Sequence, residues 1–173
     1  MLLSIKNKHW IIGLLLLVTC KVTYAPISKV PNNSDAIRLD GYYYFADSTR
    51  SPTPKVYIHF YYSDGTRLFW QSSDYEVGNL NQTLSRLEGY LTTEVKSKTV
   101  YPNHYLWSAY ELLEDQIILT SWYATENWKK SAVEESLIIL NDTLLVDRSW
   151  EPNHFWQFRY FKHKPDSSSS PIK

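Results

Sequence analysis

Apolar and polar residues alternate in short runs along most of this 173-residue chain, with residues that favour turns between them. Alternation with a period of two puts successive side chains on opposite faces of an extended backbone, so each run predicts a β-strand. The first is Gly41-Tyr42-Tyr43-Tyr44-Phe45. After the break at Ser51-Pro52-Thr53-Pro54, the stretch Val56 to Tyr62 places Val56, Ile58, Phe60 and Tyr62 on one face and Tyr57, His59 and Tyr61 on the other. Ser63-Asp64-Gly65-Thr66 then supplies an Asp-Gly pair, which tolerates the positive φ angles of a tight hairpin turn. Arg67 to Gln71 is therefore expected to return antiparallel to its predecessor.

Between Asn79 and Leu91 the period changes. Leu80, Leu84, Leu87 and Leu91 recur at helical spacing and share one face, with Asn79 placed as the N-cap. Gly89 weakens such a helix by about 1 kcal/mol relative to Ala. Strands resume from His104 to Leu112, Gln116 to Tyr123, Val133 to Leu140, Thr143 to Asp147 and Phe155 to Lys162. The repeated Pro102-Asn103-His104 and Pro152-Asn153-His154 each open a strand and read as shared turn chemistry. Eight antiparallel strands with one short helix predict an all-β domain closed into a small barrel, since closure removes exposed strand edges.

Composition agrees with that pattern. Seven Trp, 14 Tyr and 6 Phe suit a pleated, half-buried surface, and there are only 5 Gly. The formal charge is zero, and loss of a leader carrying Lys6 and Lys8 would leave a net charge of −2. With no basic run beyond Lys129-Lys130, nucleic acid is excluded as an expected partner.

Residues 1–20 read as a secretion leader: Lys6 and Lys8, an apolar run from Trp10 to Val18, then Thr19-Cys20. That run is far short of the roughly 20 residues a membrane-spanning helix needs. Leu17-Val18-Thr19-Cys20 resembles a bacterial lipobox, which implies that Cys20 receives a lipid anchor and becomes the new N-terminus. Two alternatives remain: cleavage after Ala25, giving a secreted or periplasmic protein, and a Cys20 that simply belongs to the apolar run. As the only cysteine, Cys20 has no intramolecular disulfide partner. Residues 21–35 then read as a flexible tether, 36–163 as the ordered domain and 164–173, with four successive serines, as a disordered tail.

Leu39-Asp40-Gly41-Tyr42-Tyr43, Phe60 to Thr66, Leu113 to Leu119, Ile138 to Leu144 and Phe161 to Ser167 together resemble a group of small Bacteroidetes-type lipoproteins with lipocalin-like domains. The resemblance implies a β-barrel anchored in the bacterial cell envelope. It brings no catalytic residue or cofactor with it, and fold alone does not set function.

The residues themselves point to little reaction chemistry. His59, His104, His154 and His163 show no metal-ligand spacing, although His104 and His154 would meet if their strand starts were neighbours, with Glu151 or Glu111 beside them. There is no Gly-x-Ser-x-Gly elbow and no glycine-rich phosphate loop, and Glu114-Asp115 and Glu134-Glu135 read as solvated faces. What remains is the aromatic excess. Tyr42, Tyr44, Phe60, Tyr62, Trp70, Trp107, Trp122, Tyr123, Trp156 and Phe158 are candidates for the barrel interior or mouth. Tyr44, Phe60, Tyr62, Trp70, Trp107, Trp122 and Trp156 are the residues expected to touch a ligand. The chemistry fits a non-enzymatic, membrane-tethered module without cofactor or metal, holding a small apolar or sugar-like ligand or meeting an envelope protein. The alternatives are plain core packing and an interaction module with an exposed aromatic sheet face.

Overall fold

The computed structural model describes residues 27–32, 35–49, 54–72, 78–97, 106–124, 130–150, 152–170 and 172. The leader, Cys20, Ala25 and His104 lie outside them. Eight strands form a closed antiparallel barrel in sequence order: β1 (Gly41–Asp47), β2 (Lys55–Tyr61), β3 (Thr66–Ser72), β4 (Trp107–Leu113), β5 (Gln116–Ala124), β6 (Lys130–Asn141), β7 (Leu144–Asp147) and β8 (His154–Tyr160). The first and last strands pair, Tyr43 facing Phe158, which closes the wall. One helix, α1 (Leu80–Ser97), joins β3 to β4. Among the described residues the domain is thus all-β with a single α-helix, as the alternation predicts.

The Asp-Gly hairpin forms where expected. Gly65 takes φ +81°, and the carbonyl of Val30 packs so close that a Cβ there would sit 2.1 Å from it. Both the backbone sign and the space therefore demand glycine. Asp64 Oδ1 accepts from the Thr66 amide and hydroxyl, which holds the turn.

The barrel packs on both sides of its wall. On the outside, α1 lays Leu84, Leu87 and Leu91 against Val56, Ile58, Phe60 and Leu68 of β2 and β3. Glu88 of α1 also accepts from Tyr42 Oη and from Arg159 Nε, both at 2.8 Å, tying the helix to β1 and β8. The Asn79 carbonyl accepts the Thr83 amide at 3.1 Å and opens the helix. The backbone stays helical to Ser97, past the expected end at Leu91, because the leucine repeat marks where the helix touches the barrel and not where its hydrogen bonds stop.

Inside the wall a second cluster gathers Ile37, Tyr43, Tyr61, Tyr110, Ile117 and Leu145. Along β2 the sides are Val56, Ile58 and Phe60 outward and Tyr57, His59 and Tyr61 inward, since His59 faces Tyr43 and Phe69 while Phe60 faces Leu68.

Two segments read as tether and tail are partly packed. Ile27 is buried, the Asn32 amide donates to the Ser63 carbonyl at 2.8 Å, and Lys29 pairs with Asp64 at 3.1 Å. In the tail, Pro165 and Ile172 are buried, and the Lys164 ammonium donates to the Leu39 and Tyr61 carbonyls. That burial brings the Lys164 pKa down to about 8. Isolated apolar residues in polar stretches leave no periodic signal, so only tertiary contact reveals such docking.

Candidate functional site

The two ends of the barrel differ. At the end that carries the β2–β3, β4–β5 and β6–β7 turns, Ile37 and the tyrosines fill the interior. Tyr43 Oη accepts the Arg38 amide at 2.9 Å and donates to the Asp142 carbonyl. Tyr110 Oη donates to the Tyr62 carbonyl at 2.7 Å and accepts from Asn32 Nδ2 at 3.1 Å. Burial pushes the Tyr43 and Tyr110 hydroxyls up to about 12.

At the opposite end the interior opens into a cavity of about 750 Å3. One wall is a run of near-parallel rings crossing four strands. Phe69 lies 6.1 Å from Tyr57, Tyr57 6.2 Å from Phe45, Phe45 4.1 Å from His154, and His154 5.4 Å from Trp150 at the rim. Leu119 and Leu137 face them from β5 and β6. Parity dictates this wall: the inward register pairs are Phe45 with Tyr57, Tyr57 with Gln71 and Leu145 with Trp156.

The floor is polar. Arg67 is only 6% exposed, and its guanidinium donates from Nε to Ser108 Oγ at 2.5 Å, from Nη2 to Ser121 Oγ at 3.3 Å and from Nη1 to His59 Nε2 at 2.9 Å. Tyr61 Oη lies 3.1 Å from His59 Nδ1, and Trp156 stacks on the imidazole at 3.9 Å. Burial, reinforced by the Arg67 charge, holds the His59 pKa well below its usual value, so the ring is neutral. Burial also lowers the Arg67 pKa, while Tyr61 and Glu135 raise it. Among the described residues the ion pairs are Lys29 with Asp64, Arg38 with Asp40 and Arg159 with Glu88, so Arg67 has no carboxylate in contact. A charge so placed costs several kcal/mol in desolvation.

Most of the nominated ligand-contact residues are not in this cavity. Trp156 lines it, and Trp122 borders it while packing with the outer cluster. Phe60, Tyr62 and Trp107 are buried in the outer cluster, and Tyr44 and Trp70 pack against that cluster. Trp70 rests on Tyr90 of α1, and Tyr44 Oη donates to Gln157 on the outer face. Their placement has a physical cause: the helix covers the outside of β1 to β3, so the Val56-Ile58-Phe60 face points outward. Of the wider candidates, Tyr42 is also outside, Phe158 is inside near Tyr43, and the Tyr123 side chain lies outside the described set. His59 and Arg67 also line the cavity, and nothing in the local sequence marks them as ligand contacts. The signal available was that Tyr57, His59, Tyr61, Arg67 and Phe69 share one register across the first hairpin.

Comparison of the chain with models of known protein families, with curated proteins and with solved structures found no match. No group of three or more His, Cys, Asp or Glu that could hold a metal occurs among the described residues. Nor is any described helix long and apolar enough to cross a membrane.

Proposed function

We propose that this protein is a non-enzymatic binding module of the bacterial cell envelope, anchored through a lipid on Cys20, and that its barrel holds a small, largely apolar molecule. The observation that carries the reading is the asymmetry of the interior: one end is packed, and the other opens into about 750 Å3 walled by stacked rings. That volume falls in the range of small-molecule sites, roughly 300 to 1,000 Å3. The position of the tether is compatible with an anchor. Residues 29–32 run beside the β2–β3 hairpin, at the end opposite the mouth.

Native mass spectrometry of the purified full chain tests the container reading. A bound small molecule that is released on denaturation is expected, and the bare chain mass alone would count against it. Labelling with a clickable fatty acid tests the anchor: the wild type is expected to take the label and Cys20→Ala to lose it, whereas absence of label from both removes the anchor. A second reading, an interaction module, is favoured by Phe155 and Leu140, each about half exposed on the outer wall, and by the more exposed Tyr160.

A further inference from the structure

We infer that the molecule held in the barrel is a carboxylate with an apolar body, and that its carboxylate pairs with Arg67 at the cavity floor. This rests on the container reading and sharpens it from an apolar or sugar-like ligand to an anionic one.

Hydrogen-bond accounting carries the inference. A guanidinium has five N–H donors and no acceptor. Arg67 uses three of them, on Ser108, Ser121 and His59, which leaves one N–H on each terminal nitrogen without an acceptor among the described residues. The surrounding hydroxyls each keep a hydrogen of their own beside the bond they accept. Since Arg67 must donate to His59 Nε2, the neutral imidazole carries its proton on Nδ1 and donates to Tyr61 Oη, leaving the Tyr61 hydroxyl hydrogen unused among the described bonds. Ser108 and Ser121 accept from Arg67 and retain their own hydroxyl hydrogens. Trp156 Nε1 is buried with no partner. Arg67, His59, Ser121 and Trp156 all line the cavity.

A floor carrying a buried guanidinium with two N–H groups still to be matched suits a group that brings two acceptor oxygens, no donor and one negative charge. Two oxygens also suit the fork geometry of a guanidinium. A sugar hydroxyl brings no charge to set against the guanidinium, and a purely apolar ligand would leave the buried charge unpaired. Of the acidic groups bordering the cavity, Glu135 is exposed, whereas Asp47 is buried; the carboxylates of Asp47 and Asp147 accept from the amide and hydroxyl of Thr49 and Ser149. Charges in contact with water are screened over about 8 Å in physiological salt, whereas a buried one is screened far less.

Calorimetric titration of the full chain with two probe pairs of matched shape tests this: naphthalene-2-carboxylate against naphthalene-2-methanol, and octanoate against 1-octanol. Each carboxylate is expected to bind at least ~10-fold more tightly than its alcohol. Arg67→Met should bring the acid-to-alcohol affinity ratio to about one, and a cooperative unfolding transition like that of the wild type shows that the variant is folded. Ser121→Ala, a milder change, should weaken the carboxylates alone by about threefold. Equal binding of acid and alcohol to the wild type, or a preference that survives Arg67→Met, overturns the anionic ligand and leaves the container standing. Failure of all four probes to bind overturns both.

Discussion

The two halves of the barrel interior use the same residue types to opposite ends. In the packed half, Tyr43 and Tyr110 each fill space with a ring and place the hydroxyl against a backbone or side-chain partner a few residues away in space. In the open half, Tyr57, Phe45 and Phe69 line a wall instead of filling a core, and the buried polar groups retain donors that the protein does not match. Satisfied polar groups stabilise a fold, whereas unmatched donors and a lone buried charge weaken it. The packed half is therefore where stability resides, and the open half gives some of it up.

The largest effect is expected in the packed half. Tyr43→Ala should destabilise the fold by about 3 to 5 kcal/mol in urea unfolding, because a fully buried ring and two hydrogen bonds are lost together. A loss under 1 kcal/mol would erase the contrast between the halves. Arg67→Met at the other end is expected to change stability by less than about 2 kcal/mol in the same assay, since relief of the buried charge is offset by the acceptors left without a donor on His59, Ser108 and Ser121. Strong destabilisation would show that the guanidinium is mainly a structural cross-link.

A smaller effect depends on pH. Folding holds His59 neutral through burial and the neighbouring Arg67 charge, so its folded pKa lies well below the unfolded value of about 6.5. Above that value both states are neutral and His59 contributes nothing to the slope. Below it the unfolded chain takes up a proton that the folded chain refuses, and stability falls by up to about 1.4 kcal/mol per pH unit. His59→Gln keeps one acceptor for Arg67 and one donor for Tyr61, and should flatten unfolding free energy measured between about pH 6 and 4.5. An unchanged slope would mean that His59 is charged in the fold.

The cavity was much less legible in the sequence than the wall that surrounds it. Trp156 could be nominated because it alternates correctly on a strand, yet Phe60 and Tyr62 were nominated by the same reasoning and lie outside. Alternation separates two faces of a strand but does not say which one a distant helix will cover. Two of the three partners of Arg67, Ser108 and Ser121, come from β4 and β5, 41 and 54 residues away, and no local pattern announces them. Likewise, nothing in the serine-rich tail indicates that Ile172 docks against the barrel.

Local chemistry by itself determined the elements: eight strands from period-two alternation, one helix from the leucine spacing, and a hairpin from Asp64-Gly65, where backbone sign admits little else. Only the tertiary structure decided that α1 packs on the outer face of β1 to β3, and this choice sent the Val56-Ile58-Phe60 face outward and the His59-Arg67 face inward. The physical reason is that both faces of these strands carry enough apolar surface to be buried. Which one becomes the interior depends on contacts between segments far apart in the chain, and those exist only once the barrel has closed.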